Sequence, residues 1–147
     1  MAAIVAGAMV CFGCQLVYTW QHIPEAYAAW DTGTLLVAYM KANDNRWPSS
    51  WDDLLSVTNR YPAVLLEMYG RRTSETNYAG SLRERVTIAW NFDPKTDLKS
   101  RPVTRSDGHA FRILWQGGDP NQMIRAQLKL KGSNLVNASG TQKQPGP

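Results

Sequence analysis

The residue types that could carry out acid–base chemistry are few and widely spaced in this chain. Its two histidines are His22 and His109, and neither has a metal-ligand or triad partner at a recognisable spacing. His22 fits a polar ring at a membrane edge better than a metal or pigment ligand, and His109 fits a turn-flanking surface residue. Asp52 and Asp53 are adjacent, so they point to different sides of a helix. This is typical of first-turn charges and not of a general acid and base.

Oxygen and sulfur ligands for a metal ion are also sparse. Asp107, Asp119 and Asn121 could approach a calcium ion together, but calcium takes about six to eight oxygen ligands and the acidic loop pattern is missing. Cys11 and Cys14 lie in an apolar run, where they are more typical of packing residues than of a disulfide or a metal pair. No glycine-rich phosphate loop, HExxH or G-x-S-x-G motif is present. We therefore predict no catalytic residue, no cofactor and no metal, and a protein that is not an enzyme.

The stretch 2–20 contains no charged side chain, whereas all 16 lysines and arginines lie after residue 40. As a helix it is about 28 Å long, close to the roughly 30 Å of a bilayer's hydrocarbon core. We predict a transmembrane anchor over residues 1–22. The alternatives are a cleaved or lipidated signal, with the lipid on Cys14, and a buried helix of a soluble protein.

Helical signals dominate the part of the chain that follows. Apolar residues recur at three- and four-residue spacing after Pro24, until the turn-forming cluster Asn43-Asp44-Asn45. Ser49 or Ser50 can cap a second helix whose first turn carries acidic residues. The predicted segments are an amphipathic helix from Pro24 to that cluster, helices at about 50–58 and 62–70, and a surface loop at 71–80.

The pattern then changes to that of strands. Apolar residues alternate from Val86 to Phe92, and Asp107-Gly108 lies between two extended runs, which predicts a type I′ hairpin turn. Asp119 followed by Pro120 predicts the start of another helix, with a fourth strand as the alternative. The predicted elements are three antiparallel strands at 84–92, 102–106 and 109–116, a helix at 120–131 and a flexible tail at 133–147.

An interface belt plus a core accounts for all six tryptophans of the chain. Trp20 and Trp30 are placed at a membrane boundary, and the last two tryptophans are placed in the core of the sheet. The alternative is an aromatic patch, formed by Trp47 and Trp51, that binds a partner protein. Glycines in the anchor would let a neighbouring helix approach closely. The candidate partner-binding residues are Trp30, Trp47, Trp51, Gly7 and Gly13.

The order of these features resembles the pilin-like proteins, most of all the pseudopilins of type II secretion. The matching residues are the span 2–20, Pro24 followed by Ala26-Tyr27, Leu54, and the passage from Ala38 to Pro48, which is similar to Y-x-x-D-N-G-x-Y-P. The resemblance covers the chain up to Leu54 and the general order of the sheet. It implies an α+β fold, in which a transmembrane helix continues into an amphipathic helix that packs with short helices on a three-stranded antiparallel sheet.

These expectations combine into a domain organisation and a function. The formal net charge of +4 has acids interleaved with the bases, which favours a solvated surface over a nucleic-acid interface. The predicted parts are an anchor at 1–22, an α+β head at 23–132 and the tail at 133–147. We expect a non-catalytic, single-pass protein of the cell membrane, with an extracytoplasmic head that serves envelope assembly or scaffolding. The alternative is an accessory structural subunit of a larger membrane complex of the respiratory or photosynthetic type. The expected partners are membrane lipid and other protein subunits, with no nucleic acid.

Overall fold

The computed structural model describes residues 2–60, 75–97 and 99–139; for 2–14, 16, 59–60, 75–79 and 131–139 it describes the backbone alone. Within these ranges the chain is α+β, with four helices and a two-stranded antiparallel sheet. In chain order the elements are α1 (Ala2–Ala42), α2 (Trp51–Arg60), α3 (Glu75–Arg85), β1 (Val86–Ile88), β2 (Val103–Arg105) and α4 (Pro120–Ser139).

Helix α1 is a single helix of 41 residues that continues through Pro24. At roughly 1.5 Å per residue it is about 60 Å long. It ends where the sequence predicts, because Asp44 and Asn45 both adopt positive φ. The amide of Asn45 donates a hydrogen bond of 2.7 Å to the carbonyl of Met40, which satisfies one of the last carbonyl groups of the helix.

The carboxyl-terminal half of α1 forms the centre of the hydrophobic core. Leu35, Leu36 and Met40 have no solvent exposure. All the other elements contribute to the same cluster. The remaining buried members from those elements are Leu54, Val57, Leu82, Val86, Ile88, Val103 and Ile124.

Helix α2 begins with the cap that its sequence predicts. Ser50 Oγ accepts a hydrogen bond of 3.1 Å from the amide of Asp53, and the Asp53 carboxylate accepts one of 2.8 Å from the amide of Ser49. The same carboxylate accepts a hydrogen bond of 2.9 Å from the hydroxyl of Tyr39 on α1. The Ser49 amide, and then the Tyr39 hydroxyl, hold the pKa of Asp53 below its ordinary value. Asp53 therefore fastens α2 to α1, as a structural charge.

Helix α3 occupies part of the segment that was predicted to be a surface loop. That prediction is wrong from Glu75 onward, while residues 71–74 and the predicted helix at 62–70 lie outside the described residues. Among the side chains of α3 that the structure describes, only Leu82 is buried. A helix that buries so few apolar residues has no clear hydrophobic period, which explains why the pattern does not reveal it.

The predicted three-stranded sheet is wrong, because the described residues form two strands of three residues each. β1 and β2 are antiparallel, with Thr87 opposite Thr104. The alternation that predicts the first strand is nevertheless present in the burial. On the predicted apolar face Val86, Ile88 and Phe92 are buried and Trp90 is half-buried, while the three residues that alternate with them are exposed.

The outer edge of β2 is closed by groups other than a third strand. Asn121 Oδ1 accepts a hydrogen bond of 3.0 Å from the amide of Val103, and Asn121 Nδ2 donates one of 2.9 Å to the carbonyl of the same residue. The amide of Arg105 donates to the carbonyl of His109 at 2.9 Å. His109 is the first residue of the predicted third strand, so the predicted pairing begins at the turn. It goes no further, because Asn121 already occupies both backbone groups of Val103.

The turn at Asp107-Gly108 also differs from the predicted type I′ turn. That turn needs positive φ at both central residues, and here only Gly108 has it, at 80°. The amide of Gly108 donates to the carbonyl of Arg105 at 2.9 Å. One left-handed glycine after a tight turn is the geometry of a three-residue loop with a bulge.

Helix α4 settles the choice between helix and strand for residues 120–131 in favour of a helix. Asp119 caps it, since Asp119 Oδ1 accepts a hydrogen bond of 2.9 Å from the amide of Asn121. α4 lies against α1 at Gly33, where an added Cβ would be 2.9 Å from the Cα of Pro120. The helix continues past the predicted end to Ser139, and residues 140–147 lie outside the described part.

The prediction of a single-pass location in the cell membrane is wrong. Among the residues that the structure describes, no helix is both long and apolar enough to cross a bilayer. In the part of α1 whose side chains are described, Gln15, Gln21 and Glu25 interrupt the apolar residues. The predicted boundary between residues 22 and 23 falls within α1.

Candidate interaction surface

Two of the predicted partner-binding residues, Trp47 and Trp51, lie at or just before the start of α2, against the turn that follows β1. Trp47 Nε1 donates a hydrogen bond of 2.8 Å to the carbonyl of Ala89, and the Trp47 ring contacts the Phe92 ring with centroids 4.7 Å apart. The ring of Trp51 packs edge-on against that of Trp90, with centroids 5.6 Å apart. Both indoles are half-buried and pack against the core. Their described contacts are internal to the fold, and partner binding by them stays a prediction.

The other predicted residues lie on α1. Trp30 is 41% exposed. Gly7 and Gly13 belong to the amino-terminal turns, where the structure describes only the backbone. Trp30, Gly7 and Gly13 therefore all lie on α1, whereas Trp51 lies on α2.

A run of exposed apolar residues follows one side of α1. Val17 is 57% exposed, Trp20 is 74% exposed and Tyr27 is 53% exposed. Pro24 lies between them and is also exposed, and Trp30 follows. The spacings of three and four residues place all five side chains on one side of the helix, over about 20 Å of its length. We call these five residues the aromatic face.

The aromatic face carries no charge of its own. Glu25 and Asp31 are the only ionisable acids of α1, and no lysine or arginine precedes Lys41. A surface that is apolar, aromatic and poor in charge has the composition of an interface centre, since aromatic residues are enriched there and charged residues are depleted.

A cluster of polar side chains borders this face where α1 meets the head. His22 is buried, and its Nδ1 lies 2.7 Å from the carbonyl oxygen of Tyr18. Its Nε2 lies 2.8 Å from Nη1 of Arg112. A carbonyl only accepts and a guanidinium only donates, so Nδ1 carries the proton and Nε2 is the acceptor. His22 is thus a neutral imidazole, and the expectation of a ring at a membrane edge is not met.

Glu25 completes this cluster one helical turn further along α1. Its Oε1 accepts a hydrogen bond of 2.7 Å from the amide of Arg112 and lies 3.7 Å from Nε of Arg105. Arg105 also forms an ion pair with Asp107. The amide of His109, and then the Arg105 guanidinium, hold the pKa of Asp107 below its ordinary value. We call His22, Glu25, Arg105, Asp107 and Arg112 the polar joint, since it fastens the chain after β2 to α1.

Sequence reasoning missed the polar joint. His22 and Arg112 are 90 positions apart. Spacing patterns reveal neighbours on one helix or one strand, and they carry no signal for a contact between distant segments. The isolated acid Glu25 in an otherwise apolar run was the one local sign that α1 meets a positive group there.

Asp31 is the other unusual ionisable group of α1. Burial raises its pKa from 3.8 to about 7. No hydrogen bond or ion pair joins it to another described residue. Among those residues, Thr32 Oγ1 and Trp115 Nε1 are also buried without a hydrogen-bond partner.

The oxygen atoms considered for calcium serve the fold instead. The carboxylate of Asp119 caps α4, and the side-chain oxygen of Asn121 accepts the amide of Val103. No group of three or more histidine, cysteine, aspartate or glutamate side chains in the described part of the chain is arranged to hold a metal ion.

Comparisons of the chain with protein-family models, with curated proteins and with solved structures found no match.

Proposed function

We propose that this protein is a non-catalytic assembly or scaffolding subunit. In this arrangement the head holds one end of α1, and the aromatic face together with the uncharged end of α1 binds neighbouring protein chains. The observation that carries the proposal is the division of α1 into two parts. Its carboxyl-terminal half is the centre of the core, whereas the side chains described before His22 are exposed, Val17 and Trp20 among them.

The division occurs close to His22. Every side chain described before it, at positions 15 and 17–21, is exposed, whereas Ala26, Ala28 and Ala29 are buried against the head. A helix that served only the head's stability would not need to continue past His22 with exposed side chains at positions 15 and 17–21. These exposed side chains are uncharged.

The composition of the exposed surface supports protein partners. Single exposed apolar residues are ordinary, but a contiguous group of five on one side of a helix is typical of a binding surface. Tryptophan and tyrosine are also the residues most often responsible for binding energy at interfaces. We therefore propose apolar helices of other subunits as the partners. Contact with membrane lipid depended on the predicted span and is not part of the proposal.

The test is the substitution Trp20→Glu in the full chain. Trp20 is the most exposed residue of the aromatic face, so the change should leave the melting temperature unaltered. A charge at an interface centre should weaken association roughly 30-fold or more, which corresponds to the loss of about 2 kcal/mol expected for a tryptophan hot spot. Light scattering measures self-association, and co-purification followed by identification of the bound chains measures association with other proteins.

Leu130→Glu is the matched control. Leu130 is 63% exposed and apolar, but it lies on α4 and not on the aromatic face. We expect association to be unchanged in this variant. Equal loss in both variants, or full association of Trp20→Glu, would contradict the proposal. Association with identified foreign chains but not with itself would favour the accessory subunit of a larger complex.

A further inference from the structure

The polar joint lies at the point where α1 leaves the head. Tyr18, His22 and Glu25 occupy successive turns of α1, and the last two both contact Arg112. Beyond Arg112, the ring of Trp115 contacts that of Tyr27, with centroids 5.7 Å apart. Tyr27 belongs to the aromatic face, so the same short segment touches both the polar joint and the proposed binding surface.

The hydrogen bonds of His22 determine what a second proton would do. Nδ1 already donates to the carbonyl of Tyr18, so the only free position is Nε2. That atom is the acceptor for Arg112 at 2.8 Å. A proton there would remove the acceptor and place an imidazolium directly against a guanidinium. Two like charges at this distance, with His22 buried, repel strongly.

We propose that His22 is a pH-sensitive latch, whose protonation releases Arg112 and separates the segment from His109 to Trp115 from α1. Release removes Trp115 from Tyr27 and so changes the aromatic face. Only this effect on the aromatic face rests on the proposed function, because the contacts of the latch itself lie within one chain. Histidine is suited to the role, since its charge changes between about pH 5 and 8.

The charges around His22 are balanced before it gains a proton. On α1 the ring of Tyr18 lies 4.2 Å from the imidazole ring, and Arg112 donates to the imidazole from the segment after β2. Glu25 accepts the amide of Arg112 and pairs with Arg105, which also pairs with Asp107 beside His109 in the turn. Two guanidinium groups are therefore matched by two carboxylates. Glu25 and Asp107 each accept a backbone amide and form an ion pair with Arg105, so a proton on His22 adds a positive charge to a cluster whose carboxylates already have a cationic partner.

The test follows hydrogen exchange at the backbone amide of Arg112, which donates to Glu25. It uses the full chain, at about pH 7.5 and about pH 5, with rates corrected for the intrinsic effect of pH. We expect protection of this amide to fall about tenfold or more at the lower pH. In His22→Gln the fall should disappear, because the glutamine oxygen can accept from Arg112 but gains no proton.

Two further variants keep the test decisive. His109→Gln removes the only other histidine and should keep the pH effect. Arg112→Gln leaves His22 intact but removes the guanidinium, so it should lose the effect even if His22→Gln folds poorly. The parent and every variant in this comparison carry Asp31→Asn, because burial raises the pKa of Asp31 to about 7, which lies within the pH range of the test.

Constant protection in the parent, or a fall that persists in His22→Gln and Arg112→Gln, would overturn the latch. Exchange at the Arg112 amide is also measured in the Trp20→Glu variant, so that failure of the latch and failure of the proposed function can be distinguished. If protection of the Arg112 amide falls at low pH but the Trp20→Glu variant still associates, only the proposed function is contradicted. Loss of association by Trp20→Glu without any pH effect at Arg112 would contradict the latch alone.

Discussion

Asn121 binds both backbone groups of Val103. Its amide oxygen accepts the Val103 N–H at 3.0 Å and its amide nitrogen donates to the Val103 carbonyl at 2.9 Å. A side chain from the first turn of α4 thus takes the place of a neighbouring strand. The contact also joins α4 to the sheet, because Asn121 lies on α4 and Val103 on β2. Both residues are buried.

We expect Asn121→Ala to destabilise the fold by about 1–3 kcal/mol, because it leaves a buried amide and a buried carbonyl unpaired. Denaturant unfolding measures the effect. Asn91→Ala is the control, since Asn91 is exposed, and it should change stability by less than about 0.5 kcal/mol. Equal stability of the two variants would show that the Asn121 bridge is dispensable.

The close approach of α1 and α4 predicts that Gly33→Ala is destabilising. An added Cβ would lie 2.7 Å from Met123 Sδ and 2.9 Å from the Cα of Pro120, and the backbone atom cannot move independently. Overpacking of this kind costs about 1–3 kcal/mol, which outweighs a gain of up to about 1 kcal/mol from replacing glycine in a helix. Thermal unfolding measures the difference.

Gly80→Ala is the matched substitution in α3. No atom of the described residues lies within 4 Å of its added Cβ, so we expect a gain of about 0.5–1 kcal/mol. If Gly33→Ala stabilises the fold as Gly80→Ala is expected to do, α1 and α4 are further apart than described.

Asp31 predicts a pH dependence of stability. Its pKa is raised from 3.8 to about 7 in the folded state, so the folded state holds the proton more tightly than the unfolded state does. Stability therefore falls as pH rises from about 4 to about 7, and the penalty is constant above that range. Asp31→Asn should be more stable than the parent at pH 8 and should flatten this part of the profile.

Urea unfolding at a series of pH values checks the effect of Asp31. Asp97→Asn is the control, since Asp97 is an exposed aspartate that makes no side-chain hydrogen bond among those described. Stability of the parent that rises between pH 4 and pH 7, and does so only while Asp31 is present, would contradict the assigned sign.

Trp47 and Trp51 provide a test of their internal role. Trp47→Phe loses the hydrogen bond to the Ala89 carbonyl and should cost about 1 kcal/mol or more. Trp51→Phe keeps the edge-on packing against Trp90 and loses no described hydrogen bond, so it should cost less. If both variants fold as stably as the parent but lose association, the predicted partner patch at these residues is supported instead.

Local chemistry made much of the secondary structure predictable. The caps at Ser50 and Asp119 and the end of α1 at Asp44 depend on groups within a few residues of each other, and each lies where its sequence signal places it. The alternation from Val86 to Phe92 likewise reports burial correctly, because period-two patterning is a property of the segment itself.

Tertiary contacts decided the rest, because a strand is completed by whichever group reaches its edge. Asn121 satisfies the edge of β2 at Val103 and so ends the pairing that begins at His109, and no pattern within residues 109–116 carries that information. The tryptophans show the same limit in the candidate site: their number is a property of the sequence, but packing exposes Trp20 and half-buries Trp47. The contact between His22 and Arg112 depends on folding alone, since only the packed chain brings two groups 90 positions apart to within hydrogen-bond distance.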